Sequence, residues 1–257
     1  MIEMAINSEA KFDLDNFYSQ ESISEWKQII GEDLHYHFGY FRGSEDLETG
    51  LKQTVRNFYP YITTGSRVLD IGCGWGGPNK MLSQELQCSV VGTTISVEQT
   101  KYCQNIGLNV RTQDVETTEI NGDYDLVFLL EVLSHIRNKA KLLRRLRPLV
   151  SSLILSVNCV ADNYLGERTT FGDSMVLCTV SELKQYVEEA GWEIKFMQNR
   201  RFQSLRTFIL WKQNLNRVYG DSQPPGQLGI LRTHVDTALK SPIAWCQSFP
   251  LIDIVAE

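Results

Sequence analysis

The sequence predicts an α/β fold, a mostly parallel sheet with helices on both faces. Three observations carry that prediction. Short apolar runs of strand length alternate with amphipathic helical text, the pattern of consecutive β-α-β units. The first such run breaks into glycines, in VLDIGCGWGG, and restarts as a helix. Capping and turn signals then fall between the periodic segments rather than inside them.

The elements follow in order. Residues 22–30 and 47–59 read as helices, and residues 67–71 form the first strand, which passes through the glycine turn into a helix over 78–86. Strands recur at 89–93, 109–112, 124–130 and 151–158, with helices in the gaps. Thr179-Val180-Ser181-Glu182 is a capping-box pattern opening a helix that ends at Ala190-Gly191, and residues 192–198 read as a sixth strand. Helical text at 202–219 and 227–239 is separated by the Gly220–Gly226 stretch with its Pro-Pro pair, and residues 250–256 have the pattern of a final strand. The division expected is one domain over 1–257: an N-terminal helical cap (1–62), a ligand-binding core (63–200), a helical lid inserted before the last strand (201–247), and that strand (248–257). The cap and the lid are placed to roof a substrate pocket.

Composition narrows the function classes. With 257 residues and 42% hydrophobic content the chain can bury an ordinary core. The opening MIEMAINSEAKFDLD lacks the basic start and apolar stretch of a signal peptide, and no run approaches membrane-spanning length. A cytoplasmic protein without stable membrane insertion is expected. A net charge of −6 disfavours nucleic acid as a partner and favours a small-molecule substrate. Cys73, Cys88, Cys103, Cys159, Cys178 and Cys246 show no C-x-x-C pairing or regular spacing, so they are expected to be reduced and buried, with no metal site. The basic residues from Arg137 to Arg147 read as a solvated helix face, and Arg200, Arg201 and Arg206 as a cluster able to meet an anionic substrate group. The oligomeric state is not written in the sequence.

The chemistry begins at the glycines. Gly72 and Gly74 remove side chains that would keep a ligand from the backbone, and the following helix N-terminus favours an anionic group. Gly72, Gly74 and Gly77 also satisfy G-x-G-x-x-G, so an NAD-dependent oxidoreductase is an alternative. That class expects an acidic residue about 20 positions beyond the turn to hold a ribose. Here Val91-Gly92-Thr93-Thr94-Ile95-Ser96 offers none before Glu98, which opposes the dinucleotide reading.

VLDIGCGWGG resembles the first motif of class I S-adenosyl-L-methionine methyltransferases, in which an acidic residue stands two positions before the first glycine, as Asp70 does. VVGTTISVEQ resembles the corresponding segment of the cyclopropane fatty acid synthase branch. LHYHFGYF resembles the aromatic block of cyclopropane synthases, coclaurine-type N-methyltransferases and tocopherol-type methyltransferases. The resemblance implies a Rossmann-like class I methyltransferase sheet and S-adenosyl-L-methionine as cofactor. It implies cofactor contacts for Tyr36 and His37 at the methionine end, Asp70, Gly72 and Gly74 at the turn, Thr94 and Gln99 at the ribose, Asp114 and the Val115 backbone at the adenine, and Leu130. An aromatic ring near a sulfonium also gains cation–π attraction.

Glu131 and His135 are four apart at the carboxyl end of the fourth strand, where open α/β sheets bind ligands. If that turn is helical, both project from one face toward the same space. In the coclaurine N-methyltransferase branch the matching Glu and His line the substrate pocket, so the pair is the candidate for placing or deprotonating a nucleophile. Cyclopropane synthases use a bicarbonate-binding set with a Cys at the position of Phe38 and a Glu at that of Ser134, and this chain has neither. The reading is therefore methyl transfer to an amine, hydroxyl or carboxylate of a small metabolite. Methylation or cyclopropanation of an isoprenoid or lipid chain is the related alternative. A non-catalytic scaffold would be expected to carry damaged cofactor motifs, and these look intact.

Overall fold

The computed structural model describes residues 22–170 and 175–257. The expectation about the first fifteen residues lies outside them. The chain runs α1 (Ile23–Ile30), α2 (Leu47–Arg56), β1 (Arg67–Ile71), α3 (Gly77–Glu85), β2 (Ser89–Thr94), α4 (Val97–Asn105), β3 (Val110–Thr112), β4 (Leu126–Leu130), α5 (Lys139–Leu146) and β5 (Ser152–Asn158). It continues through a hairpin of β6 (Thr169–Thr170) and β7 (Met175–Val176), then α6 (Val180–Glu189), β8 (Ile194–Asn199), α7 (Arg201–Tyr219), α8 (Gly226–Lys240), α9 (Pro242–Ser248) and β9 (Leu251–Ala256).

Seven strands form one sheet in the order β3-β2-β1-β4-β5-β9-β8. β1 through β5 are mutually parallel, and the strand order reverses between β1 and β4, which opens a crevice at their carboxyl ends. Val68, Leu69, Val127, Phe128 and Leu129 are fully buried, as strands covered on both faces require. β9 departs from the parallel expectation: it runs antiparallel to both β5 and β8. The three helices between β8 and β9 explain the reversal, because α7 packs on α8 and α1 instead of crossing a face of the sheet to a parallel neighbour.

Local chemistry sets the element ends. Ser22 and Thr179 each build a complete capping box, with Glu25 and Glu182 answering from the third helical position. Residues 57–59 were expected to extend α2; that helix stops at Arg56, and Pro60 organises a 3₁₀ turn, Tyr59–Tyr61. The β6–β7 hairpin and α9 were not expected, because elements of two to seven residues carry too few positions to show a period.

The expected solvated basic face after β4 is only partly present. Arg137, Lys141 and Arg144 are exposed, but Lys139 is buried with Nζ donating to the Ile136 carbonyl. Arg145 donates to the carbonyls of Val115 and Thr118, and Arg147 stacks on Trp192 at 4.7 Å. These long side chains hold loops against α5 as well as solvating it.

One apolar cluster joins segments far apart in sequence. Trp26, Ile30 and Leu51 from the cap pack with Phe208, Trp211 and Leu231 from the insertion. Cap and insertion therefore form a common roof over the crevice.

Candidate active site

The roof and the carboxyl ends of β1, β2, β4 and β5 enclose a cavity of about 1180 Å³. That exceeds the roughly 300–1,000 Å³ of a site for one drug-sized ligand, and leaves room for two molecules side by side.

The glycine turn forms one wall. Gly72 and Cys73 donate their N–H groups to the Thr93 carbonyl at 2.8 and 2.9 Å, which ties the turn to β2. Gly72 has φ of 72°, and a Cβ there would lie 2.2 Å from Val132 Cγ2, so both conformation and space demand glycine. Gly74 has φ of 55° and nothing within 4 Å of where its Cβ would be: it borders open cavity. Asp70 is 1% exposed, its Oδ2 has no partner, and burial pushes its carboxyl well above the ordinary range.

At the end of β2, Thr94 Oγ1 donates to Gln99 Oε1 at 2.6 Å and accepts from Ser96 N–H at 3.2 Å. The pair thus orients the Gln99 amide while the Gln99 N–H₂ group stays outside that bond. Asp114 accepts the Glu116 N–H at 2.9 Å, a turn that holds its carboxylate on the cavity wall beside the buried Val115. Gln113 Oε1 is buried there without a partner. Leu130, the last residue of β4, borders the same space.

Tyr36 lines the cavity and packs between Trp26 and Trp211, with ring centroids 4.9 and 6.1 Å away. His37 also borders it, but both ring nitrogens are engaged. Nδ1 lies 3.1 Å from the Phe38 carbonyl, which only accepts, so Nδ1 carries the proton and Nε2 accepts from His35 Nδ1 at 3.0 Å. Burial lowers His37 well below its ordinary value and His35 to about 4, so both rings are neutral. His37 therefore has no free ring nitrogen for a ligand; it shapes the wall.

Glu131 and His135 both border the cavity, yet not as one helical face. Only Leu133–His135 form a 3₁₀ turn, and Glu131 precedes it with φ of 62°, a left-handed conformation rare for a residue with a side chain. Its carboxylate is heavily engaged: Oε1 accepts from Phe38 N–H and Arg200 Nη2, each at 2.9 Å, and Oε2 accepts from Asn158 Nδ2 at 3.3 Å.

Arg200 is the hub that sequence reasoning misplaced. It does not face a substrate. Its guanidinium is 1% exposed and donates to Asp253, Glu131, Ser156 and the carbonyls of Phe38 and Gly39, so all five N–H groups have partners. Burial alone would disfavour the charge; the facing carboxylates of Asp253 and Glu131 outweigh it and raise the group above its ordinary value. Arg206 likewise holds the Ser44 and Glu45 carbonyls. Of the three arginines expected to meet an anionic group, Arg201 alone borders the cavity; Asn158 and His234, which the sequence did not single out, border it too.

The donor set fits an aminoacyl nucleoside cofactor. Asp70 and Gln113 present buried acceptors that could meet ammonium or amino groups, Thr94 and Gln99 uncharged groups that could meet ribose hydroxyls, and Gly74 leaves backbone open. Residues 5–143 match the family model described as mycolic acid cyclopropane synthetase. The chain is 30% identical over 120 residues to the cyclopropane-fatty-acyl-phospholipid synthase of Escherichia coli K12, covering 44% of this chain but 31% of that enzyme's length. In fold it is similar to coclaurine N-methyltransferase bound to N-methylheliamine and S-adenosylhomocysteine, with a TM-score of 0.77, 19% identity and coverage of 92% and 82% of the two chains. It is also similar to a cyclopropane synthase from Mycobacterium tuberculosis, with a TM-score of 0.81, 14% identity and coverage of 94% and 96%. The match over more than half its length, the glycine turn and the sheet order replace the dinucleotide alternative: the chain belongs to the mycolic acid cyclopropane synthetase family of class I S-adenosylmethionine-dependent methyltransferases.

Proposed function

We propose that the protein transfers a methyl group from S-adenosylmethionine to a nitrogen or oxygen atom of a small, partly apolar molecule. The observation that carries this reading is the single cavity in which the glycine-turn wall meets Glu131, His135 and an aromatic roof.

The cofactor, when bound, supplies an electrophilic methyl group on a sulfonium. The residues of the chain do the rest. Asp70, Gly72, Gly74, Thr94, Gln99 and Asp114 hold it, with Tyr36, His37, Val115 and Leu130 closing the walls. Cap and insertion exclude water, and alignment of the acceptor supplies much of the acceleration. His135 is the group proposed to take a proton from an amine or hydroxyl. Glu131, bonded to Arg200 and Phe38, is proposed to position the substrate and shape the field rather than to act as a mobile base.

Cyclopropanation has less support. The Phe38 ring lies 4.9 Å from Phe208, 5.3 Å from Trp211 and 4.5 Å from the Arg201 guanidinium, so a packed aromatic ring stands at the position for which the resemblance to cyclopropane synthases implies a thiol. Ser134 is fully buried and too short to replace a carboxylate. The test is an assay with labelled S-adenosylmethionine against amines, phenols, aromatic acids and unsaturated phospholipid, with and without bicarbonate. N- or O-methyl products without bicarbonate dependence are expected. Bicarbonate-dependent cyclopropane lipid would overturn the reading.

A further inference from the structure

The methyltransferase reading leaves one strong charge unexplained. Arg201 is 2% exposed and borders the cavity, yet no carboxylate among the described residues lies within ion-pair distance of it. Its bonds go to neutral oxygens: Nε donates to the Phe249 carbonyl at 2.7 Å, Nη1 to Ser204 Oγ at 3.5 Å, and Nη2 to Asn158 Oδ1. A guanidinium has five N–H groups, so one on each terminal nitrogen is left over.

The surroundings add positive potential. Arg200 and Arg201 stand at the N-terminus of the 19-residue helix α7, whose first turn has no acidic residue. The helix dipole contributes roughly half a positive charge at that end. Asp253 and Glu131 both contact Arg200, so the two arginines and two carboxylates sum to zero and the dipole leaves a positive surplus on the Arg201 side. Burial, only partly offset by Glu131, lowers Arg201 to about 10, still charged at neutral pH.

The other spare polar atoms at this end are donors as well. Trp211 and Trp245 both border the cavity, and neither indole N–H has a partner in the protein. The Phe38 ring, stacked 4.5 Å from the Arg201 guanidinium, and the Trp245–Phe249 pair, 4.2 Å between centroids, supply apolar walls. Donors, positive potential and aromatic surface together match a planar oxyanion attached to an apolar body.

We infer that the substrate carries a carboxylate that docks on the two spare N–H groups of Arg201, with its apolar portion against Phe38, Trp245 and Phe249. This rests on the proposed use of the same cavity for methyl transfer. It gives Arg201 the role of specificity residue, selecting aromatic or aliphatic acids over neutral or cationic analogues.

The experiment is calorimetric titration of the protein saturated with S-adenosylhomocysteine, using 3-phenylpropanoate, 3-phenylpropanamide and 3-phenylpropylamine. The carboxylate is expected to bind about tenfold or more tightly than the amide, a charge-assisted bond against a neutral one. Arg201→Gln should erase that preference, and Arg201→Lys should keep part of it. The wild-type comparison stands alone where a variant fails to fold. Amide or amine binding as tightly as the acid, no binding of any probe up to about 10 mM, or a preference surviving in Arg201→Gln overturns the inference. Bicarbonate displacing the acid with equal affinity also overturns it, by making the site one for a free small anion. Absence of S-adenosylhomocysteine binding would strike the methyltransferase reading itself; its presence without carboxylate preference strikes only this inference.

Discussion

At the glycine-turn end of the cavity, buried acceptors lack partners within the protein, Asp70 Oδ2 and Gln113 Oε1 among them. At the aromatic end the spare atoms are donors, those of Arg201 among them, while Arg200, Glu131 and Asp253 are already paired with one another. The first region is chemically incomplete until a ligand brings donors to it; the second is a preassembled frame. Buried polar groups are costly when unmatched, so the cofactor end is where a ligand should stabilise most, and the frame is where a substitution should destabilise most.

The frame gives the largest expected effect. Arg200→Met leaves Glu131 and Asp253 buried without their shared cation, and also removes one donor each from the Phe38 and Gly39 carbonyls. Breaking one partner out of such a buried cluster typically costs about 3–5 kcal/mol. Urea denaturation should show a loss of that order. A change below about 1 kcal/mol would mean the frame is not the rigid element that separates the two ends.

Acid should loosen the roof before the sheet. The four histidines are His35, His37, His135 and His234, and only His135 lies on the sheet side. Burial lowers His35 and His234 to about 4 from an ordinary 6.5. Because these folded-state values lie below the unfolded one, the unfolded chain binds protons first as pH falls. The stability is complete above pH 6.5 and is lost progressively between 6.5 and 4, by at most about 3 kcal/mol per histidine. Fluorescence of Trp26, Trp211 and Trp245 should therefore change across that window while hydrogen exchange in β1 and β4 remains slow. Simultaneous loss of both would show that roof and sheet unfold as one unit.

Gly72→Val targets the other end. The positive φ and the 2.2 Å approach to Val132 should displace the turn and weaken S-adenosylhomocysteine binding by about a hundredfold or more. The expected stabilisation of the wild-type protein by that ligand, a rise in Tm by mass action, should vanish with it. Retained binding would show that the glycine turn is structural only.

The contrast between the two ends also explains what could be read in the sequence. Asp70, Gly72, Gly74, Thr94 and Gln99 lie within thirty positions on consecutive strand ends, so local pattern carried their placement. All seven sheet strands lie within two residues of their expected bounds at each end, the first of them with no shift at all. Arg200 instead joins residues 162, 69 and 53 positions away, and no local period encodes such contacts. The spacing of Glu131 and His135 suggested a shared helical face. Their meeting at one cavity comes instead from a left-handed backbone at Glu131, which the Phe38 N–H and Arg200 bonds stabilise from distant segments.

The smallest effect separates the roles of that pair. Glu131→Gln keeps an oxygen able to accept from Phe38 N–H and Arg200 but loses the charge. A positioning residue altered this way should lower turnover by about tenfold, with S-adenosylhomocysteine affinity little changed and the pH profile unmoved. His135→Ala, by contrast, should lower kcat and flatten its acidic limb, because a base must be unprotonated to accept the proton of an amine or hydroxyl. Flattening in Glu131→Gln rather than His135→Ala would exchange the two assignments. An unchanged kcat in both variants would favour a carboxylate acceptor, which arrives already ionised and needs no base.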